Sequence, residues 1–113
     1  MISSYKRLLT NYFLAGYIPP FLGRNIKVMD WLPQNDLLAH KDIKAFFSHV
    51  GHNSLYESAY HGVPLVCFPL FAEQYENAKK VENFDLGLTV YHDRTNAQEL
   101  STTIEMVISE PRY

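Results

Sequence analysis

Two short apolar runs, residues 44–48 (K-A-F-F-S) and 63–68 (V-P-L-V-C-F), flank a segment with helical spacing. Both runs are apolar on both sides of an extended chain, which suits parallel strands covered by helices rather than strands with one wet face. Between them Leu55 and Ala59, with Tyr56 and Tyr60, recur at helical spacing over residues 53–61, and Gly62 and Pro64 close that segment. The same rhythm continues downstream. Residues 73–84 predict a helix ended by Asp85-Leu86-Gly87, and residues 88–91 a strand. Asn96 with Glu99 predicts a capping box for a last helix through Ile108, with Leu100, Ile104, Val107 and Ile108 on one stripe. Upstream, residues 25–31 alternate as a short strand ending at Leu32-Pro33, and Asn35-Asp36 is expected to cap a helical turn over 37–39. Strands alternating with helices through short connections predict an α/β fold, a Rossmann-like parallel sheet flanked by helices.

The amino-terminal 15 residues are open to two readings. Tyr5, Leu8, Leu9, Tyr12 and Phe13 fit a helical face, whereas Tyr12-Phe13-Leu14 could begin a strand. Ile18-Pro19-Pro20 must be extended or turning.

At 113 residues the chain is one domain's worth. Its 47% hydrophobic and 19% charged residues argue against disorder. The net charge of −2 gives no support to a nucleic-acid or anionic-membrane partner. Cys67 is the only cysteine and sits in an apolar run, so a buried, inert thiol is expected. No apolar run approaches the ~20 residues of a membrane-spanning helix, and Lys6, Arg7 and Asn11 interrupt any signal-like stretch.

In open parallel sheets, ligands sit outside the carboxyl ends of the strands. Trp31, the His49-Val50-Gly51 turn and the Phe71-Ala72-Glu73-Gln74 loop all follow predicted strand ends and should share one rim. Gly51 permits close backbone approach, and Asn53-Ser54 open a helix whose first N–H groups lack internal partners, a ready anion site. Residues 45–72 contain no Lys or Arg. A diphosphate held there would rely on backbone N–H groups, Ser54, Asn53 and His49. The plainer alternatives are a helix N-cap at Asn53 or Ser54, a core tryptophan at Trp31 and a helix-start pair at Glu73-Gln74.

The ordered blocks W-L-P-Q (31–34), H-V-G-H-N-S-L-Y-E (49–57) and H-G-V-P-L-V-C-F-P-L-F-A-E-Q (61–74) resemble the donor-binding signature of the UDP-glycosyltransferases. Gly16, Pro19, Leu22-Gly23 and Asn25 match the family's run-up to the tryptophan. The resemblance covers residues 16–113 as part of a UDP-sugar donor-binding domain, with 1–15 unassigned. It implies that Trp31 stacks on uracil, that the Leu32 backbone pairs with the uracil edge, and that Gln34 and Glu57 meet ribose hydroxyls. By the same resemblance His49, Gly51, Asn53 and Ser54 meet the diphosphate, while Glu73 and Gln74 read the transferred sugar. Gln74 at the last signature position resembles users of UDP-glucose or UDP-glucuronate. The chain departs from the family at Val50, where animal members usually carry Gly, at His52, where plant members carry Trp, and at Glu73, where Asp is more usual in animal members.

Family members are two-domain enzymes with the active site in the cleft and the base histidine in the amino-terminal domain. The resemblance therefore implies the donor-binding portion of an enzyme that moves a hexosyl or glucuronosyl group onto a small lipophilic acceptor. No catalytic base is expected in this chain, and the isolated chain is expected to be inactive. A full-length animal-type member would belong to the endoplasmic reticulum membrane, through a membrane helix absent here. The alternative is a non-catalytic nucleotide-sugar-binding fragment or pseudoenzyme. No cofactor and no metal are expected. His49 and His52 form H-x-x-H, but no carboxylate or third histidine stands at a supporting spacing. The chain also lacks G-x-S-x-G, G-x-G-x-x-G and a Walker lysine.

Overall fold

The computed structural model describes residues 7–10 and 33–113. In chain order the elements are β1 (Arg7–Thr10), α1 (Gln34–Leu38), β2 (Ile43–Ser48), α2 (His52–His61), β3 (Leu65–Cys67), α3 (Gln74–Asn83), β4 (Gly87–Thr89) and α4 (Ala97–Ser109). The four described strands form one sheet in the order β1-β2-β3-β4, and every neighbouring pair is parallel. The predicted Rossmann-like α/β fold is therefore observed. From β2 onward, helices α2 and α3 make the short crossovers that parallel neighbours need.

Strand periodicity divides the core into two layers. Phe46, Leu65 and Cys67 face one side of the sheet and pack with Leu38, Leu55, Ala78 and Val81 from α1, α2 and α3. Ala45 and Val66 face the other side and pack with Val90 and with Val107 of α4. The predicted stripe on α4 serves this second layer, since Leu100, Ile104 and Ile108 pack around Val107. Both faces of the central strands are thus covered.

Several boundaries differ from the sequence reading. Residues 7–10 form a strand rather than a helical face, with Leu8 opposite Ala45 and Leu9 opposite Phe46. This pairing satisfies the backbone edge of β2, which a helix there would leave open. The first helix starts at Gln34 behind Pro33, with no side-chain cap, so Asn35-Asp36 do not cap it. Instead Asn35 Oδ1 pairs with His61 Nε2 at 2.8 Å, joining α1 to the end of α2. Helix α2 starts at His52 with Gly51 as its N-cap and no capping side chain, so neither Asn53 nor Ser54 caps it. At the end of α3 the left-handed residue is Asp85 (φ 54°), while Gly87 begins β4. The expected strand over residues 25–31 and the Ile18-Pro19-Pro20 turn lie outside the described residues.

Two glycines have different duties. Gly62 ends α2 in the left-handed conformation (φ 67°), and nothing stands within 4 Å of where its side chain would begin. Gly87 faces the backbone of β3, and a Cβ there would lie 1.9 Å from the Leu65 carbonyl oxygen. Replacing Gly62 by Ala should cost about 1–2 kcal/mol, the conformational penalty alone. Replacing Gly87 by Ala forces β3 and β4 apart and should cost more, roughly 3 kcal/mol or above. Urea unfolding of G62A and G87A checks the ranking; equal losses would contradict the close strand approach.

Candidate functional site

The carboxyl ends of β2 and β3 open onto two loops, which carry His49, Gly51 and Glu73 among the described motif residues. After Ser48 the chain passes through His49, Val50 and Gly51 into α2. Val50 holds φ 63°, a conformation that costs a β-branched residue about 1–3 kcal/mol unless its surroundings impose it. They do impose it. The Val50 side chain is fully buried in the core layer beneath α2 and α3. Its N–H donates to Ser48 Oγ at 3.0 Å, and its carbonyl accepts from Asn77 Nδ2 at 3.0 Å. Its side chain therefore points into the core, away from any ligand at the rim. Gly51 follows because a Cβ there would approach His49 Nε2 to 3.1 Å, so the imidazole lies across the turn where a side chain would otherwise stand.

Helix α2 then begins with no capping side chain and no acidic residue in its first turn. Its first turn thus supplies neither a capping side chain nor a carboxylate of its own to the leading N–H groups and the positive end of the dipole. Helix α4 is the internal contrast: Asn96 Oδ1 accepts from Glu99 N at 2.9 Å, and Glu99 adds charge to the first turn. One helix satisfies its own amino terminus and the other does not.

Three predicted residues meet directly. Gln34 Nε2, at the start of α1, donates to Ser54 Oγ at 3.2 Å and to Glu57 Oε2 at 2.9 Å, both on α2. One amide thereby joins a proposed phosphate contact to a proposed ribose contact. Asn53 is exposed beside them, and His52 is exposed with its ring 4.7 Å from that of Tyr56. Trp31 and Leu32 lie outside the described residues. Among the described residues, no group of three or more His, Cys, Asp or Glu is placed to hold a metal ion.

On the second loop Glu73 is exposed, whereas Gln74 is 5% exposed. Gln74 Oε1 accepts from the N–H groups of Leu70 (2.8 Å) and Phe71 (3.2 Å), so this side chain shapes the loop that carries Glu73. Its carbonyl oxygen is committed to the protein. Sequence reasoning missed Asn77 and Ser48. The signal for Asn77 was a polar residue on the apolar face of α3, where Gln74, Asn77, Ala78 and Val81 fall at i, i+3, i+4 and i+7 and are all buried.

The rim continues past β4, where Tyr75 and Tyr91 stack with ring centres 6.3 Å apart and Arg94 lies 4.6 Å over Tyr91. A cleft of about 270 Å³ there is lined by Thr89, Tyr91, Arg94, Thr95, Glu99 and Thr103. It contains none of the motif residues.

With this geometry in view, comparison with known proteins is decisive. The sequence pattern of the family described as "UDP-glucoronosyl and UDP-glucosyl transferase" matches residues 7–113. The chain belongs to this family. Human 2-hydroxyacylsphingosine 1-beta-galactosyltransferase is 43% identical over 99 residues, spanning 88% of this chain and 18% of that protein. UDP-glucuronosyltransferase 2A2 of Mus musculus is 40% identical over 108 residues, spanning 96% of this chain and 20% of that protein. The chain thus spans about a fifth of the length of these relatives. Among solved structures, Os79 from O. sativa in complex with UDP and deoxynivalenol-3-glucoside is 36% identical with a TM-score of 0.67, covering 73% of this chain and 20% of that one. The glycotransferase of kitacinnamycin shares the fold at a TM-score of 0.76 and 24% identity, covering 92% of this chain and 27% of that one. Within this family the parallel sheet and its helices form a Rossmann-like unit, and no described helix is long and apolar enough to cross a membrane.

Cys67 closes β3 beneath the site, fully buried. Burial pushes its thiol from 9.0 up to about 12; the Thr89 hydroxyl draws it partly back and Glu82 adds a small rise. The thiol stays protonated at neutral pH, so iodoacetamide at pH 8 should leave the folded chain unlabelled and modify it once in guanidinium chloride. Stability carried by this group is complete below pH 9 and falls towards pH 12, because only the unfolded thiol ionises in that window. The slope approaches about 1.4 kcal/mol per pH unit. Urea midpoints of wild type and Cys67→Ala across pH 8–11 check this; parallel curves would contradict it.

Proposed function

We propose that this chain forms the donor-binding portion of a UDP-sugar-dependent glycosyltransferase, which moves a hexosyl or glucuronosyl group onto a hydroxyl of a small lipophilic acceptor. The observation that carries the proposal is the uncapped amino terminus of α2, set between His49 and the Gln34–Ser54–Glu57 cluster at the strand ends of a family member. In this reading Trp31 stacks on uracil and the Leu32 backbone pairs with its edge. Gln34 and Glu57 take the ribose hydroxyls, since one carboxylate accepts from both members of a diol. The α2 amides, with His49, Gly51, Asn53 and Ser54, face the diphosphate. Glu73 and the Gln74 amide face the sugar.

The chemistry follows from charge. As the glycosidic bond to the diphosphate breaks, negative charge grows on the departing UDP, and fixed donors aimed at it lower the barrier. Residues 45–72 carry no Lys or Arg, so backbone N–H groups, His49 and Ser54 supply that stabilisation. The acceptor hydroxyl needs a base from outside this chain. Diphosphate binding here uses no metal, so chelators should leave UDP affinity unchanged.

Calorimetry with the 113-residue chain tests the reading. UDP should bind more tightly than ADP, and Glu57→Gln should weaken UDP by about tenfold, the scale of one charged hydrogen bond. His49→Ala should lower UDP affinity with little change in melting temperature, because His49 precedes the helix and has no capping duty. Offered UDP-glucose, UDP-glucuronate or UDP-galactose with a phenolic acceptor, the isolated chain should show no turnover. Equal affinity for UDP and ADP would remove the base-reading claim, and turnover would overturn the assignment of the base to another domain.

A further inference from the structure

Val50 is the residue at which the chain turns from β2 into α2, and every part of it is held. Its side chain is buried, its N–H is taken by Ser48 Oγ, and its carbonyl is taken by Asn77 Nδ2. Its left-handed φ of 63° is the choice a β-branched residue makes least readily. The next residue, Gly51, is extended (φ −63°, ψ 163°) and is the N-cap of α2. The direction in which the leading amides of α2 point is therefore set by whether Val50 stays left-handed.

Asn77 is placed to decide this. It is buried on α3, 27 positions away in sequence, and its amide reaches the Val50 carbonyl across the sheet end. One turn earlier on the same face, Gln74 holds the amides of Leu70 and Phe71. A single helical face thus fixes both loops of the rim. A buried amide among Ala78 and Val81 carries a desolvation cost that an apolar side chain would avoid, and the bond to Val50 offsets it.

We propose that Asn77 is a positioning residue of the diphosphate site, clamping Val50 in the left-handed conformation so that the α2 amides face the phosphates. The proposal rests on the UDP reading given above. It assigns Asn77 no contact with ligand.

Titration of the 113-residue chain with UDP and with uridine separates positioning from general structural support. Asn77→Ala should weaken UDP by about tenfold while uridine, which lacks phosphates, changes less than about twofold. Adding Val50→Gly to N77A should restore UDP affinity, because glycine adopts the left-handed conformation unaided. The same addition should lower the melting temperature further, since it deletes a buried side chain. Affinity and stability then move in opposite directions, which a merely structural Asn77 would not allow. Should N77A fail to fold, Asn77→Leu fills the same volume without the donated N–H and carries the same expectation. Variants that bind UDP like wild type would overturn the positioning role alone. So would equal losses of UDP and uridine that V50G does not reverse. A wild-type chain that fails to bind UDP would overturn the underlying site reading, and this proposal with it.

Discussion

The structure depends on β2 being buried on both faces. Ala45 and Phe46, adjacent in sequence, are each inaccessible and lie in different core layers, one facing α4 and the other α1, α2 and α3. A strand so enclosed can present polar groups only at its ends. Its carboxyl end is where the chain releases His49 and the α2 amides, beside the end of β3 that releases the Glu73 loop. Phe68 N–H returns to the Ser48 carbonyl at 2.8 Å, holding the two exits together. The site follows from a covered sheet whose polar backbone must emerge somewhere.

In the proposed function, binding strength at that rim is drawn from geometry more than from charge. Helices α1, α2 and α3 all lack a side-chain cap, whereas α4 is closed by Asn96. What sets α2 apart among the described helices is a first turn with no acidic residue, where α1 has Asp36, α3 Glu76 and α4 Glu99. Gln34 bridges Ser54 and Glu57 and pins α1 against α2. Asn35 and His61 repeat that pinning at the other end of the helix pair. These contacts fix α1 against α2, and for the proposed diphosphate site such fixed geometry is the condition under which backbone dipoles stabilise a developing anion.

The layers were legible in sequence because periodicity reports burial. The apolar runs located β2 and β3, Gly62 located the end of α2, and the Asn96–Glu99 spacing located the start of α4. What escaped depends on partners far along the chain. Asn35 looked like a cap, but the helix starts at Gln34 behind Pro33, so Asn35 lies inside it and pairs with His61, 26 positions away. Gln74 stood out in sequence for the sugar it is proposed to meet, but nothing local showed that its oxygen also holds the N–H groups of Leu70 and Phe71. Val50 gave no local sign of a left-handed backbone, since β-branched residues avoid it; Asn77 imposes it from across the fold. Local patterns thus find the elements, and buried polar side chains that tie loops together surface only when the fold is known.

Mapping backbone amide shifts by NMR while UDP is added tests the central claim most directly. The account predicts saturable shifts at Gly51, His52, Asn53 and Ser54, with smaller ones at Leu70 and Phe71. Saturable shifts confined to the Tyr91–Asn96 cleft, or shifts that never saturate, would contradict a diphosphate site at the amino terminus of α2.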